Sequence, residues 1–183
     1  TTAGADGSYR FDDLTGYVAP FQIQATGQLG EAVVTLHALV GSAPSGAAVA
    51  NITPLTNAIA ALVAPTDLPT AMTPAQLQAL SPQAIAQAGE RVAAVIAPLA
   101  GALGLGQGFD PLTTPFTAVG TGADRLLDHL DVAVAPGTVS VANKMAVATE
   151  GQSTASAAAT LVKGDTAAPT PLANTETSDT QNF

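Results

Sequence analysis

At Thr53-Pro54 the hydrophobic pattern switches from a period of two to a period near 3.6, and this switch limits the fold more than any other feature. Before it, PFQIQATG sets Phe21, Ile23 and Ala25 against Gln22, Gln24 and Thr26. EAVVTLHALVG sets Val34, Leu36 and Ala38 against Val33, Thr35, His37 and Leu39. Alternation of this kind gives a strand one buried and one wet face. Ser8-Tyr9-Arg10-Phe11, after the Asp6-Gly7 turn signal, reads as an earlier strand, and AVANI as a short later one. Residues 1–50 are therefore expected to form β-sandwich strands.

After the switch, Ser/Thr-Pro pairs punctuate the chain at Thr53-Pro54, Thr73-Pro74 and Ser81-Pro82. A Ser or Thr at the N-cap accepts a backbone N–H, and Pro at the first helical position supplies a preset φ. Helices are expected to start at Pro54, Pro74 and Pro82; Thr114-Pro115 fits a turn equally well. The helix at Pro54 carries Leu55, Ile59 and Leu62 on one stripe, and PAQLQAL makes about two turns. The longest runs from Pro82 to about Leu103, with Ile85, Ala88, Val92, Val95, Ile96, Leu99 and Leu103 at helical spacing. Pro98 is expected to kink it, and the glycines from 101 to 108 to end it. ADRLLDHL is a short helix with Leu126, Leu127 and Leu130 inward. DVAVAPGTVSV is a hairpin turning at Pro136-Gly137, and MAVAT a further strand. From Gly151 the composition falls to that of a low-complexity tail, in which AAATLVKG forms a strand if given a partner. The expected class is α+β: an antiparallel β-sandwich, an Ala-rich helical segment over 51–130, a hairpin over 131–150 returning to the sheet, and a tail or donor segment over 151–183.

Composition narrows the function. Charged residues are 10% of the chain and aromatics 4%, with no Trp and no Cys. An average domain carries about 25% charged residues. The surface is thus Thr, Ser, Gln, Asn, Gly and Ala, which favours a secreted or surface protein. The net charge is −9, and the five basic residues, Arg10, Arg91, Arg125, Lys144 and Lys163, are scattered. A nucleic-acid groove needs clustered Lys and Arg, so nucleic acid is not an expected partner. Without cysteine there is no disulfide, thiolate metal site or thiol nucleophile. Val92–Gly106 is the most apolar run, but it is too short and too broken to span a bilayer.

No motif carries a reaction. Asp124, Asp128 and His129 share a short helix and read as its solvated face rather than as a metal site, which needs three or four converging ligands. Asp6, Asp12 and Asp13 lack the Asp-x-Asp-x-Asp-Gly spacing of a calcium loop. GALGLGQG follows a helix instead of preceding one and has no Lys-Ser/Thr, so it reads as a terminator. His37 sits in a strand and His129 has no evident nucleophile. Asn51-Ile52-Thr53 matches the glycosylation pattern, but Pro54 and the helix cap argue against its use. No cofactor is expected, and the chain is read as non-enzymatic.

TTAGADGSYRFDDLTG resembles the second half of a transthyretin-like, carboxypeptidase-regulatory-type β-sandwich repeat. PFQIQATG, ANITPLTNAIAALVA and DPLTTPFTAVGTGADRLLDHLDV together resemble a group of proteobacterial secreted proteins and surface lipoproteins. The resemblance covers roughly residues 1 to 135. It implies export from a bacterial cell and a place outside the cell or on its surface, and it carries no catalytic residues. Such a sandwich begins with one or two strands before the Asp-Gly turn, and these are missing here: either the chain is cut from a longer one or the strand comes from elsewhere. An incomplete sandwich exposes backbone and apolar core that pair readily with another chain. Tyr9, Phe11, Phe21 and Ile23 are the expected complementation groove. Thr1–Ala5 and the tail segment with Ala159, Leu161 and Val162 are the candidate donors. The expected function is a self-assembling extracellular fibre or surface-layer subunit whose partners are other copies of itself. The alternative is a monomeric surface lipoprotein module that binds a glycan, peptide or protein.

Overall fold

The computed structural model describes residues 1–69, 72–144 and 158–172. It is mixed α+β with two small antiparallel sheets, one of two strands and one of three. Strands β1 (Phe21–Leu29) and β2 (Ala32–Val40) form a hairpin. Gly30, with φ +63°, takes the first position of its two-residue turn, a conformation glycine adopts without steric cost. The helices follow: α1 (Pro54–Val63), α2 (Pro74–Gln78), α3 (Pro82–Ala102) and α4 (Gly122–His129). Strands β3 (Leu130–Ala135), β4 (Thr138–Asn143) and β5 (Ala158–Val162) follow, in the sheet order β3-β4-β5.

The helix starts follow the capping logic. Thr53 accepts the Thr56 N–H (3.2 Å) while Thr56 Oγ1 accepts the Thr53 N–H (2.9 Å), a reciprocal box ahead of Pro54. Thr73 and Gln76 repeat it ahead of Pro74 (3.3 and 2.8 Å). Ser81 accepts the Ala84 N–H ahead of Pro82 (3.4 Å). Helix α3 continues through Pro98 to Ala102. Its end is closed by Leu105 N donating to the Ala100 carbonyl (2.9 Å), with Gly104 at φ +75°.

Helix α1 is the centre of the molecule. The expected stripe of Leu55, Ile59 and Leu62 is buried, but so are Thr56, Ala58, Ala60 and Ala61. A helix buried all round is flanked on every side, and α1 packs against β2, α3, β3 and β4. The alanines let these elements approach closely. The main core joins Leu55, Ile59 and Leu62 to Val92, Val95, Ile96 and Leu99 of α3. It is closed by Leu126 and by the inner face of the second sheet, Val139, Val141, Ala159 and Leu161. Leu39, Ala60 and Ile85 form a smaller cluster beneath β2.

Four expectations need correction. Ser8–Phe11 is irregular, as is AVANI, because neither finds a strand to pair with among the described residues. Tyr9 instead spends its hydroxyl on the Ala50 carbonyl and its ring on an edge contact with Phe11 (centroids 5.8 Å apart). The hairpin β3–β4 does not return to the first sheet; it builds a second one. Among the described residues a full sandwich is therefore not formed. Finally, part of the expected tail belongs to the fold. β5 pairs with β4 over Thr138↔Val162 to Ala142↔Ala158. Beyond it, Leu172 is buried (1% exposed) and its N–H donates to the Val95 carbonyl (2.8 Å), one turn before Pro98. The expected strand MAVAT lies outside the described residues.

Candidate functional site: the open β1–β2 hairpin

The register of the hairpin sorts its side chains onto two unlike faces. Phe21↔Val40, Ile23↔Ala38, Ala25↔Leu36, Gly27↔Val34 and Leu29↔Ala32 share one face, and every one of these residues is apolar. Gln22↔Leu39, Gln24↔His37, Thr26↔Thr35 and Gln28↔Val33 share the other. His37, Ala38 and Leu39 are buried at the base, whereas Gln24 to Leu29 and Ala32 to Val33 are exposed. The outer half of the hairpin thus stands clear of the body, with Leu29 76% and Val33 68% exposed. Glu31, at the turn, is the one Asp, Glu, Lys or Arg between Phe21 and Val40.

The two edges of the hairpin differ. On β2, the His37 N–H donates to Asn57 Oδ1 (3.1 Å) and the His37 carbonyl accepts from Thr56 Oγ1 (3.1 Å). The imidazole Nδ1 bonds the same Asn57 oxygen (3.1 Å). The first turn of α1 therefore occupies the base of the β2 edge. These bonds also make Gln24↔His37 a non-hydrogen-bonded pair, so the backbone groups of Gln24 point outward. By the same alternation those of Thr26 and Gln28 point outward from β1. That edge has no backbone partner among the described residues. Natural edges are usually protected by charge, Pro or a bulge, and the exposed length of β1 has none of these.

Of the expected groove residues, Phe21 and Ile23 lie on the apolar face of β1, half-buried. Tyr9 and Phe11 are in the irregular N-terminal segment, outside the sheet, and burial raises the Tyr9 pKa. The expected donor residues Ala159, Leu161 and Val162 are in β5, paired within the same chain. Arg91 Nη1 donates to the Val162 carbonyl (3.1 Å), and Lys163 reaches the Pro65 carbonyl (3.3 Å) and Asp67 (3.2 Å). Two of the five basic residues thus fasten this segment to the body.

The acidic clusters serve local structure. Asp124 accepts the Gly120 N–H (2.7 Å), Asp128 is exposed, and His129 is buried with its Nδ1 unpartnered among the described residues. Among the described residues no three His, Cys, Asp or Glu side chains converge as metal ligands. Asp6 accepts from the Ser8 hydroxyl and N–H, and Asp13 accepts the Thr15 N–H; both pKa values are lowered, chiefly by side-chain hydrogen bonds from Ser8 and Thr15. The glycine-rich stretch borders an open cleft of about 450 Å³, lined by Ala102, Leu103, Gly104, Thr121, Gly122 and Arg125.

Asn51 has a structural role that its sequence pattern did not announce. Its Nδ2 donates to the carbonyls of Pro111 (3.0 Å) and Thr114 (2.8 Å), and its N–H to that of Leu112 (2.8 Å). Asp110 braces the same turn through Leu112 N (2.9 Å) and Thr113 Oγ1 (2.6 Å). Asn51 thereby ties the entry of α1 to the loop that covers α3. Asn51→Ala is expected to cost about 1–3 kcal/mol, because two half-buried carbonyls lose their donor. Urea unfolding measures it; a change below about 0.5 kcal/mol would place the clamp outside the cooperative fold.

No protein-family model matches the chain, and no curated protein and no solved structure matches it. Among the described residues no helix is long and apolar enough to cross a membrane.

Proposed function

We propose that this chain is a non-enzymatic structural protein of the bacterial exterior, a fibre or surface-layer subunit that assembles with copies of itself by strand addition. One observation carries the reading: a projecting two-stranded hairpin with a wholly apolar face and an open, uncharged edge. An isolated hairpin is marginal in water and gains stability from added strands or a packed face. The composition agrees, since a low-charge, Cys-free surface suits export, and the resemblance to secreted and surface proteins points the same way. Because β5 is held in its own sheet, the complementing strand is assigned to the hairpin instead of the tail.

Sedimentation velocity over a wide concentration range, with negative-stain electron microscopy of the same samples, tests the proposal. Larger species that grow with concentration, and fibres or sheets on the grid, are expected. A monodisperse monomer at every concentration, with no fibres, would overturn it. In that case a saturable rise in melting temperature with a glycan or peptide would favour the binding-module reading.

A further inference from the structure

We infer that β1 pairs with β1 of a second copy, antiparallel, about a two-fold axis at Thr26. The inference rests on the self-assembly reading above and specifies its contact. A two-fold contact requires that residue i meet j while j meets i. The outer part of β1, the half-buried Ile23 and the exposed Gln24-Ala25-Thr26-Gly27-Gln28-Leu29, meets this requirement in its sequence. About Thr26 it is a chemical palindrome: Ile23 falls opposite Leu29, Gln24 opposite Gln28, Ala25 opposite Gly27, and Thr26 opposite itself.

The backbone agrees with the side chains. Gln24, Thr26 and Gln28 are the residues whose N–H and carbonyl groups point out of the hairpin, as the His37 bonds to Asn57 and Thr56 require. In this register those residues face one another, so three pairs exchange about six backbone bonds. A register shifted by one residue would set outward groups against inward ones and lose the ladder. Gln22, whose side chain donates to the Pro69 carbonyl (2.8 Å), stays outside the contact. The two Glu31 side chains fall at opposite ends, so no like charges meet.

The alternative partner edge is closed at its base. Head-to-tail pairing would set β1 against β2, where Asn57 and Thr56 already hold His37. The two-fold arrangement leaves that network intact. It also keeps both apolar faces on one side of a four-stranded sheet, joining Ile23, Ala25, Val34 and Leu36 of the two copies into one surface. A two-fold contact closes on itself, so extension into a fibre proceeds through that joined face, with the dimer as the building unit.

The chain has no cysteine, which permits a direct test. Facing residues of a hydrogen-bonded antiparallel pair have Cα atoms about 5.5 Å apart, within disulfide reach. Thr26→Cys alone is expected to give a covalent dimer under mild oxidation. Gln24→Cys alone and Gln28→Cys alone are expected to cross-link at least about tenfold more slowly, and an equimolar mixture of the two, in which about half of the dimers are mixed, to recover about half the Thr26→Cys rate. All three sites are exposed, so matching melting temperatures confirm that the variants fold. Slow Thr26→Cys cross-linking, or equal rates at all three single sites, would overturn the inference. Fibres without this cross-linking pattern would leave self-assembly standing and remove the β1 contact. The pattern without fibres would keep the contact and remove the filament.

Discussion

Leu172→Ala and Leu161→Ala are each expected to destabilise the protein by about 2–5 kcal/mol, the range for emptying a buried leucine site. Both side chains are 1% exposed and belong to the same core cluster as Ile59, Val95 and Leu99. Leu161 sits opposite Val139 of β4, on the face that covers α1 and α3. Leu172 also brings its backbone N–H to the Val95 carbonyl on α3. A domain of ordinary stability has about 5–15 kcal/mol in all, so the double variant approaches or crosses the unfolding threshold at room temperature. The two sites share a cluster, so their effects need not add. Urea denaturation of the single and double variants gives the measurement. A loss under about 0.5 kcal/mol for each would mean that residues 158–172 are an appendage, and that the core closes without them.

That result bears on how far the fold could be read from the chain. The helix starts were legible because Ser/Thr-Pro encodes its own local geometry: the hydroxyl finds an N–H three residues on, whatever surrounds it. The β1–β2 hairpin was legible for a similar reason, since strict alternation fixes the faces. The assignments that failed all depended on a distant partner. Ser8–Phe11 alternates like a strand, yet no neighbour among the described residues offers it a ladder, and Tyr9 bonds the Ala50 carbonyl instead. The reverse holds for Ala158–Val162: the strand expected there on condition of a partner is formed, because β4 supplies its ladder. Five residues of this composition do not name that partner by themselves. Leu172 carried no signal at all, being one apolar residue among Pro, Thr and Ala.

The candidate site divides in the same way. Phe21 and Ile23 were correctly placed on the apolar face of a strand by their spacing, while Tyr9 and Phe11 were grouped with them only through the assumed earlier strand. What the sequence left hidden was which edge stays open. That depends on Thr56 and Asn57, which look like ordinary first-turn helix residues until α1 is set beside β2. The outward direction of Gln24, Thr26 and Gln28 follows from those two hydrogen bonds, and so does the significance of the palindrome around Thr26.

Ala25→Lys is expected to abolish assembly beyond the dimer, whereas Gln24→Lys, which adds the same charge at the adjacent position, is expected to leave most of it. Ala25 lies on the face that carries Ile23, Leu36 and Val34, opposite Leu36 in the hairpin register. In the isolated chain it is exposed, so a lysine there keeps its ammonium in water and the fold is hardly disturbed. Once two dimers associate through their joined apolar faces, that ammonium must be buried without a partner. Desolvating an unpaired charge costs several kcal/mol, more than a contact of this size can return. The Gln24 side chain points to the opposite, polar face beside Thr26, where a lysine can remain hydrated (Gln24 Nε2 to Thr26 Oγ1 is 3.5 Å). Net charge rises equally in both variants, so a general electrostatic effect would change them alike. Sedimentation velocity at matched concentrations separates the two explanations, and melting temperatures within about 2 °C of the parent exclude a folding defect. Equal assembly of Ala25→Lys and the parent would show that the apolar face is not where dimers meet. Equal loss in both variants would place the effect in the charge of the hairpin as a whole.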